Sequence, residues 1–377
     1  MNPEHQQKIF FPNLDGLRFF SFLIVLFSHI WGTDVPAIKY STWYQFFKGR
    51  VFSDGDLGVS IFFVLSGFLI TYLLLSEKKL TGKIDVKSFY IRRALRIWPL
   101  YYFSVFFGFV IFPLLKNYFG QGSTEAASPA LCSLFLNNFD RIKNGIPDSS
   151  ILSVLWSVAI EEQFYLLWPI LFLISPAKKY IYIFLFVLFI STLYRIFPFY
   201  GSPDLNTLGV ITDMAVGGLA AYLVFFNKRF LVIIENTPKI LTIIPYLMLL
   251  IFIFFKYQIF EPEIFYILKR LIMSLFFAWI ILDQNFGKKS LFKFSQLKTI
   301  TKLGKYTYGL YCLHTIAVLV VIELLSKFGL RTESWQLIII EFPLTLMLSI
   351  LISILSYKLF ESKFLKLKDK FAYIVKN

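Results

Sequence analysis

Long apolar segments recur along the whole chain, and they restrict the possible fold more than any other feature of the sequence. Because the apolar core of a bilayer is about 30 Å thick, a helix needs about 20 mostly apolar residues to cross it. Only helices and closed barrels satisfy their backbone hydrogen bonds in lipid, and these segments lack the alternation of barrel strands. The sequence therefore predicts an all-α, polytopic integral membrane protein with about ten transmembrane helices. The segments cover approximately residues 14–33, 57–76, 94–115, 151–174, 180–198, 206–226, 240–256, 264–282, 304–326 and 336–357.

The composition argues against a soluble domain and against several enzyme classes. Hydrophobic residues make up 57% of the 377 positions and charged residues 16%, whereas soluble domains have about 45–50% apolar and about 25% charged residues. The chain has no Walker A loop, no GxGxxG motif after a strand, no HExxH and no CxxC. Its two cysteines give neither a disulfide framework nor a metal-ligand spacing, so we expect no bound metal.

Basic residues are distributed unevenly between the connecting segments. The formal net charge is +15; of 38 Lys and Arg, 24 fall in alternate connections and tails that include both ends of the chain, and nine fall in the others. Because cytoplasmic loops carry the excess of basic residues, this split predicts that both termini are cytoplasmic. We therefore expect contact with membrane lipid and not with nucleic acid. No cleavable signal is evident, so residues 1–377 are interpreted as a single transmembrane domain.

Arg18 and His29 are ionisable residues within the first apolar segment, and they return to nearly the same face of a helix. Their spacing corresponds to about three turns, or roughly 16 Å of rise. Ionisable residues inside a membrane usually face the protein interior and have a function. His29 could be a general base that takes a proton from a hydroxyl, or a neutral histidine hydrogen-bonded across helices. Arg18 could act with His29, or it could pair with Asp15 as an anchor at the helix start.

The third segment opens with the sequence FYIRRALRIWPLYY, in which Arg93 and Arg96 are three positions apart. On a helix they share a face at the cytoplasmic end, with Arg92 beside them. Guanidinium groups bind phosphate through paired hydrogen bonds, so Arg93 and Arg96 could hold a pyrophosphate. The alternative is that all three arginines only reflect the excess of basic residues at cytoplasmic helix ends.

Further polar residues lie inside three other segments. Glu161 and Glu162 occupy the middle of LWSVAIEEQFYLLWP, and because adjacent side chains on a helix project about 100° apart, at most one can point at a given partner. Carboxylates are costly in lipid, which favours a functional role for them. Ser66 and Gly67 would permit close helix approach. His314 could be a second base or a structural hydrogen-bonding residue.

Five motifs, taken in order along nearly the whole chain, resemble the acyltransferase-3 family of bacterial membrane O-acyltransferases. The resemblance implies about ten transmembrane helices with both ends inside. The motifs are the DGLR start through the histidine (Asp15–His29), FFVLSGFLIT (Phe62–Thr71), RRALRIWPLYY (Arg92–Tyr102), WSVAIEEQFYLLWP (Trp156–Pro169) and GKYTYGLYCLHT (Gly304–Thr315).

The resemblance implies a multi-pass enzyme of the bacterial inner membrane that moves an acyl group, usually acetyl, from cytoplasmic acyl-CoA to a hydroxyl. The acceptor would be a carbohydrate, such as a cell-surface or lipid-linked glycan, or a glycolipid. The donor would be acetyl-CoA, with its phosphates at the basic cytoplasmic mouth and its thioester near the histidine. The residues implied are catalytic His29, Glu161 and Glu162, and donor-binding Arg18, Arg93 and Arg96.

The chain departs from many members of that family in two respects. Many relatives carry a C-terminal secreted esterase-like domain, which these 377 residues do not include. We therefore expect this stand-alone form to deliver the acyl group itself or to hand it to a separate partner protein. The ninth segment also has CLHT where many relatives have a Trp and a Pro around the histidine.

The alternative function is a secondary transporter or a flippase of a lipid-linked glycan. Acidic and basic residues inside transmembrane helices are also typical of proton-coupled carriers. The arginines at the cytoplasmic end of the third segment count against a carrier. A carrier would move its substrate without consuming acyl-CoA, which separates the two functions.

Overall fold

A computed structural model describes residues 11–33, 35–49, 55–120, 122–259 and 261–371 of the chain. Within these ranges every regular element is a helix and there is no strand, which confirms the all-α class. The charge distribution used above includes Lys8, Arg50 and Lys376, and these three lie outside the described residues.

A helix lies at each of the ten predicted segments. Eight helices in the described part of the chain are long and apolar enough to cross a membrane, and up to nine if one bent pair counts as a single span. The bent pair is Thr212–Phe226 with Lys228–Asn236, at 102°, and Lys239–Phe255 is a further apolar helix that is shorter than the eight. The chain is thus a polytopic helical protein, and the count of ten crossings stays a prediction. We number the helices α1 Pro12–Ile30, α2 Gly55–Thr81, α3 Val86–Tyr118, α4 Leu155–Ile174, α5 Ala177–Ile196, α6 Thr212–Phe226, α7 Lys239–Phe255, α8 Glu263–Phe286, α9 Thr307–Lys327 and α10 Ser334–Phe371.

Helix α3 begins eight residues earlier than the apolar pattern predicts, at Val86 instead of residue 94. The Asp85 side chain caps this end by accepting a hydrogen bond from the Ser88 amide at 3.0 Å. The bonds from Ser88 hold the pKa of Asp85 below its ordinary value. A capped polar first turn therefore brings the three arginines of the motif inside the helix.

The described residues form two compact units. The first unit takes its residues from Met1–Pro12, Ser66–Lys228 and Leu355–Asn377, and the second unit from Asn13–Leu65 and Arg229–Ile354. The interpretation of the chain as one transmembrane domain stays a prediction.

The second unit is built around α1. Buried Phe22 and Leu26 of α1 form a core with Leu310 of α9, and Phe27 stacks on Phe342 with ring centroids 4.0 Å apart. This packing fixes the helix that carries the Arg18 and His29 motif.

Two glycines of the sequence motifs permit close packing around the start of α1. A Cβ on Gly16 would lie 2.6 Å from the Phe294 Cβ, and one on Gly304 would lie 2.5 Å from the Asp15 carbonyl carbon. Such distances leave no room for a side chain, so both glycines permit close packing at the start of α1.

The first unit has an aromatic core. Trp168, Phe172 and Phe184 are fully buried, and the Trp168 indole donates to the Thr71 hydroxyl at 2.9 Å. A Cβ on Gly67 would lie 2.6 Å from the Met214 Cα, which confirms the predicted close helix approach at this glycine.

The long connection between α3 and α4 is tied to both helices. It contains the short helices Pro129–Ser133 and Asn137–Asn144. Phe135, between them, has a φ of 57°, and its carbonyl accepts a hydrogen bond from Gln163 Nε2 at 2.8 Å. Since Gln163 lies near the middle of α4, this connection reaches well along the helix instead of staying at its end.

We expect Gly67→Ala to destabilise the protein by about 1–3 kcal/mol, because the new methyl group would overlap the Met214 backbone. Gly122→Ala is the matched control, since nothing lies within 4 Å of a Cβ at that position. Thermal unfolding of both variants in lipid nanodiscs measures the difference. Equal melting temperatures for Gly67→Ala and wild type would contradict the close packing.

The ion pair between Lys116 Nζ and Asp148 Oδ1, at 2.9 Å, makes the stability of this connection depend on pH. Burial alone would raise the pKa of Asp148, but hydrogen bonds from Lys116 and the Thr124 amide hold it below its ordinary value. A carboxylate with a lowered pKa contributes stability above its unfolded pKa, about 3.9, and loses that contribution as the pH falls through the folded pKa.

We therefore expect Asp148→Asn to lower Tm by a few degrees at pH 7. The difference from wild type should close as the pH falls below about 4. Melting curves of both proteins across this range test the pair, and a difference that stays constant with pH would exclude the ionised Asp148 as its cause.

Candidate functional site

His29 lies in the last turn of α1, and its side chain is exposed. Its Nδ1 is 2.8 Å from the Val25 carbonyl oxygen, one turn earlier on the same helix. A carbonyl oxygen only accepts hydrogen bonds, so Nδ1 is the nitrogen that carries a hydrogen. In the neutral ring Nε2 then carries the lone pair that a general base needs.

A second histidine lies against His29. The Nε2 of His314, in α9, is 3.4 Å from the Nδ1 of His29, and the two ring centroids are 4.9 Å apart. His314 is fully buried, and its Nδ1 lies 2.8 Å from the Tyr311 carbonyl oxygen. The sequence alone does not reveal this pair, because 285 positions separate its members and no local pattern links them.

Arg18 makes the pair with Asp15 that its spacing permits. The Arg18 Nη1 is 2.6 Å from the Asp15 Oδ1, and both side chains are mostly buried. This bond holds Arg18 at the start of α1, whereas His29 is near the opposite end.

The three arginines of α3 have different surroundings. The Arg92 guanidinium contacts Glu77 Oε2 at 3.2 Å and the Phe371 carbonyl oxygen at 2.7 Å. Arg93 instead lies against two rings, with its Cζ 5.5 Å from the centroids of both Phe89 and Tyr165. The buried Nε of Arg93 makes no hydrogen bond.

The pair predicted by spacing, Arg93 and Arg96, is accompanied by acidic residues. Arg96 attracts Glu361 of α10 electrostatically, and Arg93 attracts Glu162 of α4. The first unit thus brings together four of the predicted site residues, which are Arg93, Arg96, Glu161 and Glu162.

The adjacent acids of α4 have separate partners, as their angular separation requires. Ser66 Oγ donates to Glu161 Oε1 and also bonds with the Tyr165 hydroxyl. Trp98 Nε1 donates to Glu162 Oε2 at 2.9 Å, and the buried Oε1 of Glu162 accepts no hydrogen bond.

From the sequence, Ser66 is predicted only to be a small residue at a helix contact, and neither Trp98 nor Tyr165 has a predicted role. All three lie inside the motifs quoted above, at positions where a polar group falls within an apolar run. A polar residue within an apolar run is the sequence signal that could have identified them. Their partners, however, depend on how separate helices are aligned.

No group of three or more His, Cys, Asp or Glu side chains that could hold a metal ion is found within the described ranges.

Comparison with known proteins finds a matching family model and similar proteins. A family model described as an acyltransferase domain, of the acyltransferase-3 type, matches residues 11–358. The chain is 28% identical over 323 residues to the peptidoglycan O-acetyltransferase OatA of Listeria monocytogenes, a match that covers 80% of this chain and 48% of that protein. It is 32% identical over 167 residues to the O-acetyltransferase OatA of Staphylococcus aureus, covering 43% and 24%.

The chain therefore spans at most about half the length of these two relatives. No solved structure gives a significant match.

Proposed function

Since the chain belongs to the acyltransferase-3 family, we propose that it is a membrane O-acetyltransferase that transfers an acetyl group to a hydroxyl of a cell-wall glycan. The observation that carries this proposal is the family match over residues 11–358, which includes all five motifs. The exposed His29, with its Nε2 lone pair directed away from its Nδ1 bond, supplies the base that such a transfer needs.

The donor we propose is acyl-CoA entering from the cytoplasm, with acetyl-CoA as the substrate. Arg93 is suited to its phosphates, because the rings of Phe89 and Tyr165 hold the guanidinium and its buried Nε has no hydrogen bond to give up. A guanidinium presents a planar fork that matches a phosphate. Arg96 and Arg18 are the further donor-binding residues of this proposal.

The reaction we propose begins with proton transfer from the acceptor hydroxyl to His29 Nε2. The oxygen attacks the thioester carbonyl carbon, a C–O bond forms, and the C–S bond breaks to release the CoA thiolate. The thiolate then takes the proton back from His29, so the step balances without a further reactant. Of the two carboxylates, we assign the catalytic role to Glu162, since its Oε1 accepts no hydrogen bond, whereas Glu161 is bonded to Ser66.

The acceptor class we propose is peptidoglycan. The Listeria relative is named a peptidoglycan O-acetyltransferase, and its match covers 80% of this chain. Because the relatives are longer, we also propose that a further protein segment or a separate partner completes delivery to the acceptor. The protein would lie in the inner membrane, with about ten spans and both termini cytoplasmic.

We expect His29→Ala to reduce turnover by about 10²–10⁴-fold, the usual contribution of a general base. Release of free CoA from acetyl-CoA by the purified protein in lipid measures it. Phe20→Leu on the exposed face of the same helix is the folding control. Full activity of His29→Ala would contradict the assigned base, and a wild-type protein that neither binds nor consumes acyl-CoA would leave the transporter or flippase as the function to test.

We expect Arg93→Lys to raise the KM for acetyl-CoA by about tenfold or more, because a lysine cannot reproduce the planar fork. Arg92→Lys is the matched control: its guanidinium bonds Glu77 and the Phe371 carbonyl, so it should lower Tm with little change in KM. Kinetics over a range of acetyl-CoA concentrations separate the two. An unchanged KM in Arg93→Lys would show that the positive charge alone is sufficient, and an equal rise in KM for both variants would show that the effect is not specific to Arg93.

A further inference from the structure

The contact between His29 and His314 has a chemical consequence that depends on which ring nitrogens carry hydrogen. His314 Nδ1 lies 2.8 Å from the Tyr311 carbonyl oxygen and 3.2 Å from that of Leu310. Both oxygens only accept, so this Nδ1 donates and carries the hydrogen. In the neutral ring His314 Nε2 is then a bare acceptor.

The acceptor of His314 faces the donor of His29. His29 Nδ1 carries its hydrogen toward the Val25 carbonyl at 2.8 Å, and His314 Nε2 lies 3.4 Å from the same nitrogen. One N–H is thus shared between a carbonyl of its own helix and an imidazole of α9. With Nδ1 occupied in this way, the lone pair of the neutral His29 ring is confined to Nε2.

The surroundings of His314 keep its ring in one orientation. The residue is fully buried, and besides its two carbonyl partners it meets the Phe22 ring edge-on at 5.7 Å and the Tyr311 ring at 6.2 Å. His29 is exposed by contrast, and the fixed ring of His314 is a second neighbour of its Nδ1 beside the Val25 carbonyl.

We propose that His314 is the positioning residue of His29. This inference rests on the proposed function, in which His29 is the base. His314 accepts the Nδ1–H of His29, holds Nε2 toward the reacting hydroxyl, and stabilises the imidazolium that forms when Nε2 takes the proton. The His29 Nδ1–H and the His314 Nδ1–H both stay in place, so His314 fills the position that a carboxylate has in Ser-His-Asp triads without exchanging a proton.

The test compares two amides at position 314. The Gln amide reaches about as far as imidazole Nε2 and can accept from His29, whereas the Asn amide is one methylene shorter and falls short. We expect His314→Asn to lower kcat by at least about tenfold with the KM for acetyl-CoA within about twofold, and His314→Gln to recover most of kcat. Thr315→Val, at the next buried position of α9, is the matched control for packing.

A spectroscopic measurement keeps the test independent of activity. Nitrogen-15 spectra of histidine-labelled protein should show His29 as a single Nδ1–H tautomer in wild type and His314→Gln. In His314→Asn we expect the His29 Nδ1–H signal to shift, because this hydrogen loses the imidazole acceptor and keeps the Val25 carbonyl. Unchanged spectra and an unchanged kcat in the Asn variant would overturn the positioning role.

A double variant separates this inference from the proposed function. If His314 acts through His29, adding His314→Asn to His29→Ala should not reduce the residual rate further. A further loss in the double variant would mean that His314 acts by another route and would overturn the inference. Full activity of His29→Ala alone would overturn both, whereas an inactive His29→Ala beside a fully active His314→Asn would overturn only the role of His314.

Discussion

A polar side chain inside a membrane-spanning helix needs a hydrogen-bond partner from the protein, because lipid offers none. In the first unit the indoles of Trp168 and Trp98 meet this need by donating to Thr71 and Glu162. In the second unit the carbonyls of α9 hold the ring of His314. Each such bond also fixes the rotamer of the group it satisfies. The same contacts therefore satisfy these polar groups and fix their orientation.

The sequence predicted the helices and the motifs well, because both are local properties. Segment length and apolar continuity identify a membrane helix, and the spacing of Arg18 from Asp15 was enough to foresee their ion pair. Partners on separate helices were not predictable in this way. The sequence left His314 open as a second base or a structural hydrogen-bonding residue, because the alignment of α1 with α9 has no signature in either segment. In the structure its Nε2 lies 3.4 Å from the Nδ1 of His29.

Adjacent residues of one motif can have entirely different partners. Arg92 and Arg93 look equivalent in sequence, yet Arg92 is bonded to Glu77 and the Phe371 carbonyl, while Arg93 is held between two aromatic rings. The motif glycines Gly16 and Gly304 are explained by packing at the start of α1, with no chemical role required. Family motifs in this chain thus combine residues that build the helix contacts with residues that we propose to contact the substrate.

A neutral orienting group suits a base in a membrane. A carboxylate at position 314 would bring a charge into a fully buried place, at a desolvation cost of several kcal/mol. An imidazole whose Nδ1–H is satisfied by two helix carbonyls offers the same acceptor geometry to His29 without any net charge. In the proposed positioning role the stabilisation of an imidazolium at His29 would be weaker than a carboxylate would give. Orienting the ring depends on direction more than on charge, so a second histidine would meet that requirement at the smaller cost in solvation.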